Sequence, residues 1–135
     1  MTLTEIIDIA ERIPYAKPRS RYGPDTLVFE IEGKQFCLFD LSMEWEFYNI
    51  KVDPELSEEL RERHTCIRPG FHMNKRDWVS VDSESLSRPI HEALLRHASL
   101  QTVGGMSRKI KTRLFGSVEE FETLLAESIE ELRNV

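Results

Sequence analysis

The sequence predicts an α+β domain of two layers. An antiparallel five-stranded sheet carries helices on one face, in the order α-β(3)-α-β(2)-α, with an extra helix at the C-terminus. Three observations point there. Runs of alternating apolar and polar residues follow one another with only short turns between them, which favours antiparallel neighbours. Three capped segments have apolar residues at helical spacing, at the start, late in the chain and at its end. At 135 residues the chain is the size of one ordinary domain.

The first helix is expected over 3–13. Thr2 and Glu5 have capping-box spacing, Leu3, Ile6, Ile7 and Ala10 share a face, and Pro14 stops the run. Residues 15–24 are rich in Pro, Gly and cations (Lys17, Arg19, Arg21) and read as a long loop. A strand over 26–32 puts Leu27, Phe29 and Ile31 on one face, and Gly33-Lys34 suits a two-residue hairpin. Residues 35–41 are apolar on both faces, as a central strand is. A turn over 42–44 leads to a third strand over 45–52.

Asp53-Pro54 starts a helix that runs to about Arg63 with Leu56 and Leu60 inward. Pro69-Gly70 makes 66–71 an edge or bulged strand, 72–76 reads as a turn, and 77–82 is the fifth strand. The long helix begins near Ser87 and ends at Gly104-Gly105, with Ile90, Ala93, Leu94, His97 and Ala98 as its stripe. The last helix opens on Ser117 and Glu120, another capping-box pair, and presents Phe121, Leu124, Leu125, Ile129 and Leu132. Residues 1–106 thus form the α/β body. Residues 107–135 read as a basic linker and an amphipathic helix packed on or beside it, within a single domain.

Charge divides along these boundaries. The whole chain carries −6, which excludes a uniformly basic nucleic-acid coat. Residues 1–106 hold 13 basic and 18 acidic side chains, 107–116 hold four basic and no acidic ones, and 117–135 hold one basic and six acidic. The positive run Arg108, Lys109, Lys111 and Arg113 can neutralise phosphates, or it can pair with the glutamates around it. Two cysteines are too few for a disulfide scaffold, and no apolar run approaches the ~20 residues a membrane helix needs. A reducing, cytoplasmic setting is expected, away from membranes.

The densest constellation is 67–78, which combines Arg68, His72, Asn74, Lys75, Arg76 and Trp78 around a Pro-Gly bend. Cations interleaved with aromatic rings suit phosphates and stacked bases. The same residues can also serve a tight turn whose rings pack in the core. His64, Cys66 and His72 match no zinc spacing, and neither a nucleophile signature nor a phosphate loop is present. No metal, cofactor or catalytic residue is therefore expected.

These segments carry a resemblance. Lys51-Val52-Asp53-Pro54-Glu55-Leu56, then Glu58-Glu59-Leu60-Arg61-Glu62, then Arg68-Pro69-Gly70-Phe71-His72-Met73-Asn74-Lys75-Arg76-Asp77-Trp78 resemble the MmcQ/YjbR family over about residues 3–103. Phe71 stands where the family commonly has Tyr, and Asp77 where it commonly has His or another polar residue. The resemblance implies a small α/β domain like the type III secretion chaperones, and a DNA-binding role without established catalytic residues. Three functions follow as expectations. The first is a non-enzymatic DNA-binding module using the 68–78 hairpin and the 108–113 run. The second is a protein- or peptide-binding adaptor, or a homodimer, working through the C-terminal helix. The third is a small-ligand pocket or an enzyme, with His72, Asn74, Lys75 and Trp78 at its rim.

Overall fold

The structure is a computed structural model that describes residues 1–42 and 44–135. The elements run α1 (Leu3–Glu11), β1 (Lys17–Arg19), β2 (Thr26–Ile31), β3 (Lys34–Asp40), β4 (Phe47–Lys51) and α2 (Pro54–Arg63). They continue with β5 (Ile67–Pro69), β6 (Trp78–Asp82), α3 (Arg88–Gly104), α4 (Arg108–Phe115) and α5 (Val118–Arg133). The sheet order is β1-β2-β3-β4-β6-β5 and every pairing is antiparallel. The fold class stands, with one more strand and one more helix than expected.

Both additions have physical reasons. β1 lies in the 15–24 segment that reads as a loop. Its three residues are all exposed, so no apolar alternation marks it. The basic run, expected as a linker, forms α4: the Ser107 hydroxyl accepts from the Ile110 N–H at 3.2 Å, and Gly116 ends the helix at φ 95°. The β2–β3 hairpin is shifted by one residue. Ile31 pairs with Lys34, so Glu32 and Gly33 form the loop, and both have positive φ (49° and 77°), as a type I′ turn requires. The expected turn over 42–44 includes Met43, which lies outside the described residues.

Cross-strand partners explain what each face does. One row runs Pro18, Phe29, Cys37, Ile50, Val79, Pro69 across all six strands. Its four central members are fully buried beneath the helices, where Leu94, Leu95 and Ala98 of α3 meet them. Fully burying one such leucine contributes about 1.5–3 kcal/mol. Proline stands at both ends of the row, on the two edge strands, where it blunts pairing with another chain. The adjacent row points to the opposite, helix-free face and reads Arg19, Val28, Leu38, Asn49, Ser80, Arg68.

Helix ends follow the sequence with two differences. Thr2 and Glu5 complete their capping box, and Asp53 accepts from the Leu56 N–H at 3.0 Å with Pro54 behind it. Ser117 caps α5 through the Glu120 N–H alone, without the reciprocal bond. Gly105 closes α3 at φ −85°, outside the left-handed region, so helix termination does not require two glycines there. Gly104 has a packing context instead: a Cβ on it would lie 3.7 Å from Leu125 and 3.9 Å from Phe121 of α5.

α5 belongs to the core. Phe121 and Leu132 are fully buried, and the Arg63 guanidinium closes the helix by donating to the Leu132, Arg133 and Val135 carbonyls. Both α3 histidines are buried as well. His91 Nε2–H donates to the Ser83 carbonyl (3.0 Å), which leaves Nδ1 to accept from the Tyr48 hydroxyl (2.6 Å).

Candidate functional site

The helix-free face is partly roofed by the loop between β5 and β6, and backbone chemistry places that loop. Gly70 N–H donates to the Trp78 carbonyl at 3.0 Å, and a Cβ on Gly70 would meet Trp78 Cβ at 2.8 Å and its carbonyl oxygen at 2.9 Å. Only glycine permits this approach. His72 then takes φ 58°, which turns the chain back over the sheet. Asn49 and Ser80, opposite each other on β4 and β6, fasten the loop. Asn49 Nδ2–H donates to the Phe71 carbonyl (3.0 Å), Phe71 N–H donates to Ser80 Oγ (3.0 Å), and Ser80 Oγ–H donates to Asn49 Oδ1 (2.5 Å).

Rings then gather around Phe71. Trp45 stacks on Phe47 at 4.8 Å between centroids, and both meet Phe71 edge-on, at 5.4 and 5.7 Å. Between this cluster, β2–β3 and the loop lies a cleft of about 490 Å³. Tyr22, Trp45, Phe71, His72 and Trp78 give it aromatic walls, and Gln35, Asn49 and Asn74 supply amides. Among the described residues, none that lines it is an Asp, Glu, Lys or Arg.

The 68–78 residues singled out from sequence divide between this cleft and its scaffold. His72, Asn74 and Trp78 line the cleft; Arg68, Lys75 and Arg76 do not. Arg68 is bonded to Asp82 and lies over the Phe47 ring at 5.1 Å. Lys75 Nζ donates to the Gly70 carbonyl at 2.7 Å and the Met73 carbonyl at 3.4 Å, so its ammonium closes the loop. Asn74 Oδ1 accepts the Arg76 N–H at 2.9 Å, an Asx turn. Arg76 faces a separate hollow with Glu55, Glu58 and Lys75.

The 108–113 run stands apart. Arg113 pairs with Glu32 at 2.6 Å and, with Lys17 and Arg19, lines a hollow at the β1 end of the sheet. Lys111 lies over the Phe121 ring at 5.3 Å. Arg108 and Lys109 are exposed, with no carboxylate within ion-pair distance among the described residues. Glu30, nearly buried beside Arg19, is held below the usual carboxylate range chiefly by the bonds it accepts from Arg21. The cations therefore spread over several hollows.

Sequence reading missed Tyr22, Gln35, Trp45 and Asn49 as cleft residues. Asn49 carried a signal: it is an amide between Tyr48 and Ile50 in an apolar strand, and it is completely buried. Among the described residues no three of His, Cys, Asp and Glu converge to hold a metal, and no helix is long and apolar enough to cross a membrane.

The sequence profile of the YjbR family matches residues 11–99, which covers β1 to most of α3 and every residue of the cleft. The chain belongs to the YjbR family. It is 31% identical over 107 residues to the Escherichia coli O157:H7 protein YbdF, covering 78% of this chain and 88% of that one. It is 27% identical over 81 residues to Escherichia coli K12 YjbR, covering 60% of this chain and 69% of that one. Both relatives are described as uncharacterised. A solved Deinococcus radiodurans structure superposes with a TM-score of 0.75 at 26% identity, covering 88% of this chain and 91% of that one. A Pseudomonas syringae protein gives a TM-score of 0.64 at 27% identity, covering 76% and 99%.

Proposed function

We propose that this YjbR-family chain is a binding domain, not an enzyme, and that it takes single-stranded DNA by seating an unpaired base in the open-face cleft. The observation that carries this reading is an aromatic-walled cleft lined, among the described residues, by no Asp, Glu, Lys or Arg. Rings and amides engage the faces and edges of bases, which a strand presents and a duplex hides. A phosphate clamp built on the hairpin has less support. Arg68 is occupied by Asp82, Lys75 by backbone carbonyls and Arg113 by Glu32. Within the hairpin and the 108–113 run, Arg76, Arg108, Lys109 and Lys111 have no bonded carboxylate among the described residues, and Arg76 is the one of them that lies next to the cleft loop.

A protein partner held by the C-terminal helix has little apolar surface to grip. Phe121 and Leu132 are spent inward, and Leu124 is the large apolar side chain of the stripe that stays exposed. The test is a fluorescence-polarisation titration of one labelled strand, alone and as a duplex, at low and physiological salt. The single strand should bind more tightly than the duplex, with a shallow salt dependence, and should quench tryptophan emission. Tighter duplex binding with a steep salt slope would restore the phosphate clamp, and no binding at low salt refutes both forms.

A further inference from the structure

The helix-covered side of the sheet holds a cavity of its own, of about 370 Å³, between α1, α3, α4 and α5. That volume is within the range of small-ligand sites. Its floor is apolar. Ile9 and Ile13 stand on the α1 side, Leu100 on α3, and Phe115 and Leu124 where α4 and α5 close the far end. Leu124 is 41% exposed, so the apolar end is open to a ligand.

Among the described residues five charged side chains line this cavity, and their bonds sort them. Arg12 pairs with Asp8 at 3.2 Å, and Arg96 pairs with Glu131 of α5 at 3.1 Å. Arg88 and Glu92 are left over. Neither has a hydrogen-bonded or ion-paired side-chain partner among the described residues. Glu5, which lies within electrostatic reach of Arg88, accepts the Thr2 backbone N–H and hydroxyl instead. Arg88 precedes Glu92 by four residues, so a guanidinium and a carboxylate stand on one face of α3 about one turn apart. Cation before anion is the weaker order for a pair within a helix. Glu92 is also half-buried, where a carboxylate with no partner is costly. Ser99 spends its hydroxyl proton on the Arg96 carbonyl at 2.9 Å, and its oxygen can still accept.

We infer that this cavity binds a free amino acid with a large apolar side chain, such as phenylalanine. The ligand carboxylate lies against Arg88, its ammonium against Glu92, and its side chain runs over Ile9 toward Leu100, Phe115 and Leu124. A fatty acid matches the same floor but brings a second carboxylate beside Glu92. An apolar amine brings a further cation beside Arg88. A zwitterion carries both charges on one carbon and satisfies both groups. The site stands apart from the base-binding reading, since Trp45 and Trp78, the two tryptophans of the chain, line the open-face cleft and not this cavity.

L-phenylalanine, hydrocinnamate and phenethylamine share a ring and differ in charge, and each is titrated into the full-length protein by calorimetry. L-phenylalanine should bind at least about tenfold more tightly than either, in keeping with one charge-assisted hydrogen bond lost from each analogue. Glu92→Gln should lower the preference over hydrocinnamate by about tenfold, and Arg88→Gln the preference over phenethylamine by as much. Both variants should melt near wild type, because neither side chain has a bonded partner to lose. Leu124→Gln, at an exposed position, should weaken all three compounds alike. Tryptophan emission should stay constant as the cavity fills. Equal affinity for the three compounds, preferences unmoved by both charge variants, or no binding of L-phenylalanine at millimolar concentration overturns the amino-acid site. Binding that shifts tryptophan emission and survives Leu124→Gln moves the ligand to the open-face cleft and overturns it as well. None of these outcomes bears on whether the cleft takes a base.

Discussion

His97 Nδ1 lies 2.9 Å from Ser128 Oγ, and this bond joins the central helix to the C-terminal one. The proton arrangement follows from the neighbours. His97 Nε2 accepts the backbone N–H of Asp53, the residue that caps α2, at 3.1 Å. The ring proton must then sit on Nδ1 and is donated to Ser128, whose own hydroxyl donates to the Leu125 carbonyl at 2.7 Å. One buried imidazole ties α2, α3 and α5 together, and it does so only when neutral.

Acid lability follows from that requirement. Burial pushes the His97 pKa down from 6.5 to about 4, against a weaker upward pull from the Asp53 carboxylate. Burial also lowers His91. A histidine whose folded pKa is depressed favours folding fully above its unfolded value, and the contribution is lost as pH falls from about 6.5 to about 4. Over that window His97 alone should withdraw roughly 3 kcal/mol, at about 1.4 kcal/mol per pH unit. Urea denaturation at a series of pH values measures this. His97→Gln should flatten the curve in that window, and an unchanged slope would show that His97 does not carry it.

The same substitution at two glycines should have opposite signs. Gly70→Ala drives a Cβ to 2.8 Å from Trp78 Cβ and 2.9 Å from the Trp78 carbonyl oxygen, so β5 must part from β6. The expected cost is about 1–3 kcal/mol, with loss of the cleft roof. At Gly104 a Cβ makes ordinary contacts with Leu125 and Phe121, and the residue is helical. Gly104→Ala should stabilise by up to about 1 kcal/mol. Thermal melts of the two variants decide it, and a destabilised Gly104→Ala would mean that α5 cannot give way.

Lys75 offers a direct test of whether the hairpin grips phosphate. Its ammonium is engaged with the Gly70 and Met73 carbonyls, so Lys75→Met should loosen the loop by about 1 kcal/mol. DNA affinity should fall with it, but the slope of log affinity on log salt should stay the same. A lysine on a phosphate would instead take about one unit of slope with it when removed.

Much of this fold was legible because local chemistry marks its boundaries. Thr2 with Glu5, Asp53 with Pro54, and Ser117 each announce a helix start that the structure uses. β1 was not legible: Lys17–Arg19 is a strand only because Phe29 and its neighbours on β2 offer it partners, and nothing in its own pattern says so. α4 was hidden by its charge, since a run of cations reads equally as linker or as solvated helix. Half of the candidate site could be read from the 68–78 string. The other half comes from Tyr22, Gln35, Trp45 and Asn49, which the strands and the loops flanking them bring together from four places in the chain. Roles within the string were less visible still, because whether a lysine meets a phosphate or a carbonyl of its own loop depends on loop closure.

Removing residues 117–135 tests how far α5 is structural. The truncation strips Ser128 from His97, leaving a buried N–H without an acceptor, a defect of about 1–3 kcal/mol. It uncovers the sites of Phe121 and Leu132, both fully buried, at about 3–5 and 2–5 kcal/mol for large-to-small changes of these types. It also removes the carbonyls that Arg63 caps and the Arg133 guanidinium that Glu59 accepts at 2.9 Å. These losses together match the whole stability of a typical domain, ~5–15 kcal/mol. The shortened chain should lose its cooperative melt and its near-ultraviolet circular dichroism. A truncated chain that melts cooperatively near the full-length temperature would free α5 for a partner and put the adaptor reading first.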